Sequence, residues 1–209
     1  MINETNIKNL IAKAGDVKIV AAVKQRTADE INTLLKFGID TVGENRVQDL
    51  LAKYEATKGL KWHFIGNLQT NKVKYIVDKV QLIQSVDREN LALEIQKQCQ
   101  KHDIIMPVLI EVNLDEDSKG GIKTTELHAL LKYISTLKNL KIQGLMFIPP
   151  INSDEETYQN IKQIFLRYKD EFSLTILSCG MSDDYEIAIK YGANMIRPGS
   201  ILFNSKRGE

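Results

Sequence analysis

The chain has 209 residues, and its 28 basic and 27 acidic residues leave a formal net charge of +1. This balance excludes a global field that recruits nucleic acid or an anionic membrane, while 43% apolar and 26% charged residues are typical of a soluble globular protein. Two distant cysteines, Cys99 and Cys179, have no metal or redox spacing, and no apolar run reaches membrane-spanning length, so we expect one cytoplasmic domain over residues 1–209.

Short apolar runs alternate with longer amphipathic runs along the chain, and this pattern predicts strands that are each followed by a helix. An opening helix is predicted over residues 3–14. Strands are predicted over residues 17–24, 39–43, 62–66, 80–86, 106–112, 142–148, 174–177 and 193–196. The remaining helices are predicted over residues 27–37, 45–57, 69–78, 87–101, 124–137, 154–170 and 183–191. Thr27 and Glu30 have the spacing of a capping box, and Gly38 is a helix stop.

Eight strand units with nearly continuous apolar character predict an α/β protein, a single (β/α)8 TIM barrel. A doubly wound open sheet is the alternative. We prefer the barrel because no glycine-rich dinucleotide-binding turn follows the first strand.

Lys24 is the last residue of the apolar run over residues 17–24. At the end of a buried parallel strand an ammonium group is partly desolvated, which favours the neutral amine and lets it attack a carbonyl carbon to form a Schiff base. The alternative is a strand-end lysine whose charge is simply solvated.

Polar residues and glycines follow the predicted strands, and in a barrel the functional site lies at these carboxyl ends. The small-residue turns 178–182 and 199–200 predict a phosphate site, because backbone N–H groups at helix starts bind anions; ordinary capped turns are the alternative. Arg197 can donate hydrogen bonds to a phosphate or to a heteroaromatic nitrogen, or it can form an ion pair with a carboxylate at the rim of the site. His63 either contacts a cofactor or is a histidine of the core. An amine opposite a phosphate site indicates pyridoxal 5′-phosphate, an aldehyde that carries a phosphate.

The most specific stretch is Trp62-His63-Phe64-Ile65-Gly66-Asn67-Leu68-Gln69-Thr70-Asn71-Lys72. Further motifs follow in the same order and spacing: Ala22-Val23-Lys24, Gly43-Glu44-Asn45, Asp117-Ser118-Lys119-Gly120-Gly121, Gly144-Leu145-Met146 and Gly180-Met181-Ser182-Asp183-Asp184. With these residues the chain resembles, over nearly its whole length, the pyridoxal phosphate homeostasis protein family, relatives of the barrel domain of alanine racemase. Arg46 departs from that pattern, where an aromatic residue is expected, as do Cys179, Pro198 and Ser200.

The resemblance implies a fold-type III barrel that binds pyridoxal phosphate without the carboxyl-terminal β domain of alanine racemase. It implies that Lys24 carries the Schiff base and that Arg197 faces the pyridine nitrogen. The implied phosphate ligands are Ser178, Ser182, Gly199 and Ser200, and the implied neighbours of the ring are Asn45, His63 and Met181. The loop over residues 115–121 is a candidate lid, in which Lys119 is a hypothetical acceptor of the aldehyde during release.

Catalysis is not expected from this arrangement. Racemization needs two opposed bases, and in alanine racemase one comes from the second domain of a partner subunit, which we expect this chain to lack. A permanently charged Arg197 also disfavours protonation of the pyridine nitrogen, which weakens the ring as an electron sink. We expect a non-catalytic monomer that binds, stores or delivers pyridoxal phosphate through transient contact with recipient apoenzymes, with no metal, nucleic acid or membrane partner. A weak amino-acid racemase and a Schiff-base aldolase are the alternatives.

Overall fold

A computed structural model describes residues 2–57, 59–114 and 120–204 of the chain. The described helices are α1 Glu4–Ala14, α2 Ala28–Thr33, α3 Val47–Tyr54, α4 Glu89–His102, α5 Leu127–Ser135, α6 Glu155–Lys169 and α7 Tyr185–Lys190. The described strands are β1 Lys18–Ile19, β2 Ala21–Ala22, β3 Thr41–Glu44, β4 Lys61–Phe64, β5 Leu82–Val86, β6 Met106–Asn113, β7 Ile122–Lys123, β8 Leu140–Phe147, β9 Ile176–Ser178 and β10 Met195–Ile196. Short 3-10 helices cover Leu34–Phe37, Glu55–Thr57, Thr70–Tyr75 and Ser200–Leu202.

The strands form one parallel sheet that closes on itself. Its order is β1-β10-β9-β8-β6-β5-β4-β3-β2, with β7 added beside β6. Strands β1 and β2 are two halves of one extended segment around Val20, of which β1 pairs with β10 and β2 pairs with β3. The same segment therefore bonds both edges of the sheet, which makes an eight-stranded barrel. The predicted (β/α)8 barrel is confirmed, and the open sheet is excluded.

Side chains alternate between two apolar layers, as they must in a strand that is covered on both faces. One layer lies between the sheet and the helices and includes Trp62, Phe64 and Leu177. A smaller cluster fills the barrel interior; its buried members are Val20, Leu82, Leu109, Met146 and Met195, with Ile176 packed against it. Burial on both faces explains why these strands read as nearly continuous apolar runs.

Both ends of the helical segment that begins with α2 follow local sequence signals. The predicted capping box is present, because Glu30 donates its N–H to Thr27 Oγ1 at 3.3 Å and Thr27 donates its N–H to Glu30 Oε2 at 3.0 Å. The 3-10 turn that extends α2 ends at Gly38, with a φ of 78°. A helix is predicted over residues 69–78, and the structure has a shorter 3-10 helix over Thr70–Tyr75, in which Val73 is buried.

Across the described ranges, no helix is both long enough and apolar enough to cross a bilayer. The predicted domain boundaries, residues 1–209, stay a prediction.

Candidate functional site

The carboxyl ends of the strands meet at one mouth of the barrel, where most of the predicted site residues lie. Lys24 follows β2, although in a turn with Gln25 at a φ of 59° and not at the end of a strand as predicted. Val20 packs inside the barrel, whereas Ala21 and Val23 pack in the outer layer. By this alternation Lys24 belongs to the same series as Val20, whose side chains face the barrel interior. Lys24 lies at the rim of the barrel, and its side chain is exposed to solvent.

The turn that carries Lys24 is attached to both neighbouring strand ends. Val23 donates its N–H to the Gly43 carbonyl at 3.0 Å, and Ala22 donates its N–H to the Pro198 carbonyl at 2.8 Å. A Cβ built on Gly199 would lie 3.4 Å from the Cβ of Ala22. The turn of Lys24 therefore lies beside the segment that follows β10.

A buried ion pair, which the sequence analysis missed, supports the same turn. Glu44 ends β3 with its side chain fully buried, and its two carboxylate oxygens accept from the Asn45 N–H and from Lys53 Nζ, each at 2.7 Å. Lys53 Nζ also donates to the Val23 carbonyl at 3.1 Å. We call these three contacts of Glu44 and Lys53 the Glu44–Lys53 clamp. It ties α3 to the residue before Lys24.

A chain of polar side chains crosses the barrel interior just below the mouth. Arg197 donates from Nη1 to Ser178 Oγ at 2.6 Å and from Nη2 to the Phe147 carbonyl at 2.8 Å. Ser178 Oγ donates to Gln84 Oε1 at 2.7 Å, and the Gln84 amide nitrogen lies 3.0 Å from Nδ1 of His63. Because Gln84 donates to it, Nδ1 is the acceptor and the ring proton of His63 resides on Nε2.

Burial determines the protonation states of His63 and Arg197 in this row of polar side chains. Desolvation, with a further contribution from Lys18, lowers the pKa of His63 to about 4, so the imidazole is neutral at neutral pH. Arg197 is also buried, and burial lowers its pKa from the usual 12.5, yet a guanidinium keeps its charge at neutral pH. The interior of the mouth therefore holds one fixed positive charge that is hydrogen-bonded to neutral groups.

Ser178 lies inside the barrel and not in the turn that was expected to hold a phosphate. Its exposed fraction is 0%, and its hydroxyl accepts from Arg197 and donates to Gln84. These contacts favour a role in holding Arg197.

The two turns that were predicted to form the phosphate site do contact each other. Ser182 Oγ accepts from the N–H groups of Gly199 at 3.0 Å and of Ile201 at 3.2 Å. Gly199 and Ser200 begin the final 3-10 helix, and both are accessible. The exposed Met181 lies at the same rim, and its N–H donates to the Asp184 carboxylate at 2.5 Å. One hydroxyl and several backbone N–H groups therefore converge beside the Lys24 turn.

Glu111 is a further polar side chain inside the barrel, in the apolar strand β6. It shares the interior face of β6 with Leu109 and is 9% exposed. Burial, with a smaller contribution from Asp87, raises the pKa of this carboxyl to about 7, while Arg197 acts in the opposite direction. A Cβ on Gly120 would lie 3.1 Å from Glu111 Oε1, so the glycine allows the loop to approach the carboxylate.

The candidate lid lies largely beyond what the structure describes. Residues 115–119, including Lys119, are outside the described residues, so its hypothetical role stays a prediction. The next residues are described: β7 pairs in parallel with β6, with Val112 opposite Ile122. This pairing holds the segment after the loop against the strand that carries Glu111.

Residues 3–206 match the protein family described as alanine racemase, N-terminal domain. A pyridoxal phosphate homeostasis protein of Aquifex aeolicus is 43% identical over 199 residues, which cover 91% of this chain and 87% of that protein. The chain belongs to the pyridoxal phosphate homeostasis protein family. Another member, from Helicobacter pylori, is 39% identical over 196 residues, with 90% of this chain and 87% of the relative covered.

Solved structures of this family and of alanine racemase share the barrel. PipY of Synechococcus elongatus, solved with pyridoxal phosphate bound, is 30% identical with a TM-score of 0.86, and the match covers 95% of this chain and 100% of PipY. An alanine racemase of Clostridium difficile is 18% identical with a TM-score of 0.77, over all of this chain and 57% of the racemase. At 18% identity, the similarity to the racemase shows only that the two proteins share a fold. Membership of the homeostasis protein family confirms the resemblance that the sequence motifs indicated.

Proposed function

We propose that this chain binds pyridoxal 5′-phosphate at the barrel mouth and takes part in its homeostasis by binding, storing or delivering the cofactor, without catalysis of its own. The names of its relatives and the cofactor in PipY support this proposal. The observation that carries it is the contact between Ala22, two residues before Lys24, and the segment of Pro198 and Gly199, which in turn contacts Ser182. An aldehyde that also carries a phosphate matches an amine beside a cluster of N–H donors.

The residues at the mouth fit the cofactor. Lys24 is the amine that would hold the cofactor through its aldehyde carbon as a Schiff base, and its exposure lets a ligand reach it. Ser182, Gly199 and Ser200 would hold the phosphate, for which the N–H groups of Gly199 and Ile201 would exchange the Ser182 hydroxyl that they contact in this structure. Ser178 contributes indirectly, because it fixes the guanidinium of Arg197.

The charge of Arg197 bears on whether the site supports catalysis or binding alone. When bound, the cofactor supplies a reactive aldehyde and a ring that withdraws electrons most strongly when its nitrogen is protonated. A guanidinium that faces the nitrogen opposes that protonation, because it keeps its own charge. We assign Asn45, neutral His63 and Met181 to the neighbourhood of the ring. This environment supports reversible binding more than carbanion chemistry.

One observation favours a second candidate function, a weak amino-acid racemase. Glu111 is a carboxyl group inside the mouth with a pKa raised to about 7, the range in which a side chain both accepts and donates protons. Racemization of alanine and other amino acids by the loaded wild-type protein, lost in Glu111→Gln, would replace the carrier proposal by this one.

The direct test uses absorption spectra and mass spectrometry. Added pyridoxal phosphate is expected to give a band near that of a lysine Schiff base, which borohydride removes while the modification appears on Lys24. Lys24→Ala abolishes the band, whereas Lys36→Ala, a matched change of an exposed lysine away from the mouth, retains it. A colourless wild-type protein with unmodified Lys24 contradicts the proposal.

We also propose that the protein is a cytoplasmic monomer that contacts recipient apoenzymes transiently. Sedimentation of the loaded protein tests the monomer, and a stable dimer at micromolar concentration contradicts it. Cofactor transfer to a purified apoenzyme, measured as recovered activity, tests delivery.

A further inference from the structure

The most specific stretch of the sequence, residues 62–72, contributes His63 to the cofactor site, but most of it lies elsewhere. It forms one wall of a cleft of about 530 Å³ beside the barrel mouth. The opposite wall comes from the residues after β3. We call this space the β3–β4 cleft; the lining side chains used below are Arg46, Gln48, Asn67, Gln69 and Lys72. Its volume is in the range of small-molecule sites.

The lining of the β3–β4 cleft carries positive charge without compensation. Arg46 and Lys72 lie on opposite walls, and the lining contains no carboxylate. Within the described part of the chain, neither cation forms an ion pair. The side chains of Gln48, Asn67 and Gln69 are carboxamides, which add neutral N–H donors. Such a lining recognises an oxyanion, for which a guanidinium is well suited.

The backbones of the two walls pack directly against each other. A Cβ on Gly66 would lie 2.3 Å from the Asn45 carbonyl oxygen. Glycine at this position therefore permits the loop after β4 to pack directly on the loop after β3. On the far wall α3 begins after Arg46 without a side-chain cap, which leaves its first N–H groups for another acceptor.

The cleft adjoins the cofactor site through Asn45. This residue lines the cleft, and its N–H is held by the Glu44 carboxylate of the Glu44–Lys53 clamp. We propose that the β3–β4 cleft binds the phosphate or carboxylate group of a second small ligand, next to the proposed cofactor site and separate from the turn of Ser182 and Gly199. Arg46 and Lys72 hold the oxyanion from opposite sides.

The test follows backbone amide shifts of ¹⁵N-labelled protein during titration with inorganic phosphate and, in a second arm, with succinate. Saturable shifts are expected at Val47, Gln48 and Asn67, and the two arms distinguish a phosphate site from a carboxylate site. Arg46→Ala and Lys72→Ala each weaken binding about tenfold or more, because a charge-assisted hydrogen bond is lost. Lys74→Ala, which removes a nearby lysine outside the lining, changes the affinity less than twofold.

Three results would overturn the proposal: no saturable shift at the cleft amides with either anion, shifts confined to Gly199 and Ile201, or equal weakening by Lys74→Ala. The amides of Gly199 and Ile201 report the proposed cofactor phosphate site in the same spectra. Failure of the cleft and failure of the cofactor site are therefore distinguishable. Arg46 is exposed, so its substitution is compatible with folding, and a retained spectrum elsewhere verifies this.

Discussion

Replacement of Lys53 by methionine removes the cation of the Glu44–Lys53 clamp while it retains the length and much of the apolar packing of the side chain. The Glu44 side chain is 0% exposed and that of Lys53 is 13% exposed, so solvent screens the pair weakly. After the substitution the buried carboxylate keeps the Asn45 N–H, at 2.7 Å, as a hydrogen-bond donor. Loss of one member of a buried pair costs about 3–5 kcal/mol. We expect about 3 kcal/mol, because that N–H still compensates part of the charge.

For a domain of this size, about 3 kcal/mol corresponds to a decrease in Tm of roughly 6–12 °C. Urea unfolding followed by circular dichroism measures the free energy directly. The double variant Glu44→Gln, Lys53→Met is the control, because it removes the charge together with its partner and is expected to recover most of the stability. Both variants lose the hydrogen bond to the Val23 carbonyl, so trapping of pyridoxal phosphate on Lys24 is expected to slow in both.

Two results would refute this reasoning about the clamp. A loss below about 1 kcal/mol in Lys53→Met would mean that the pair has no more effect than an exposed ion pair. A double variant as unstable as the single one would show that packing of the lysine stem, and not the unpaired carboxylate, accounts for the loss.

Two further predictions concern pH and glycine. The pKa of Glu111 is raised from 4.5 to about 7 in the fold, so the folded state binds the proton more tightly, and this residue's contribution to stability falls as pH rises from about 4.5 to about 7. The difference in unfolding free energy between Glu111→Gln and wild type should grow by roughly 3 kcal/mol across that window, and an opposite slope contradicts the assignment. Gly144→Ala places a Cβ 1.8 Å from the Ile176 carbonyl oxygen and is expected to prevent soluble expression, whereas Gly199→Ala, with its nearest atoms at 3.4 Å on Ala22, is expected to fold with a Tm near that of wild type.

The fold was predictable from the sequence because a parallel barrel buries both faces of its strands. Each strand is therefore recognisable in the sequence as a run of apolar residues. The first strand shows the limit of this signal. Residues 17–24 read as one strand, yet the chain pairs with β10 through Ile19 and with β3 from Ala21 onward. The change of partner at Val20, and the turn at Lys24 and Gln25, depend on closure of the barrel, which no local pattern encodes.

The candidate site was predictable where it depends on strand order alone. Ser182 and Gly199 meet because β9 and β10 are neighbours, and neighbouring carboxyl ends lie together. To place Ser178 correctly, the exact end of its strand must be known in addition to the strand order. The predicted strand ended one residue earlier, whereas the observed strand β9 includes Ser178 on the interior face that it shares with Ile176. A shift of one residue in the end of a strand moves a side chain from a surface turn into the barrel.

The contacts of Arg197 bear on whether the protein carries its proposed cofactor or uses it in catalysis. Its two terminal nitrogens donate to Ser178 and to the Phe147 carbonyl, so the guanidinium is fixed by neutral acceptors before any ligand arrives. In the proposed site such a fixed, charged donor would give the ring nitrogen a hydrogen bond but no proton, which would stabilise binding without strengthening the ring as an electron sink. Lys24, in contrast, lies in an exposed turn where a competing amine can reach it. We infer that rigid recognition at one end of the cofactor and open access at the other suit a protein that binds the cofactor and gives it up again.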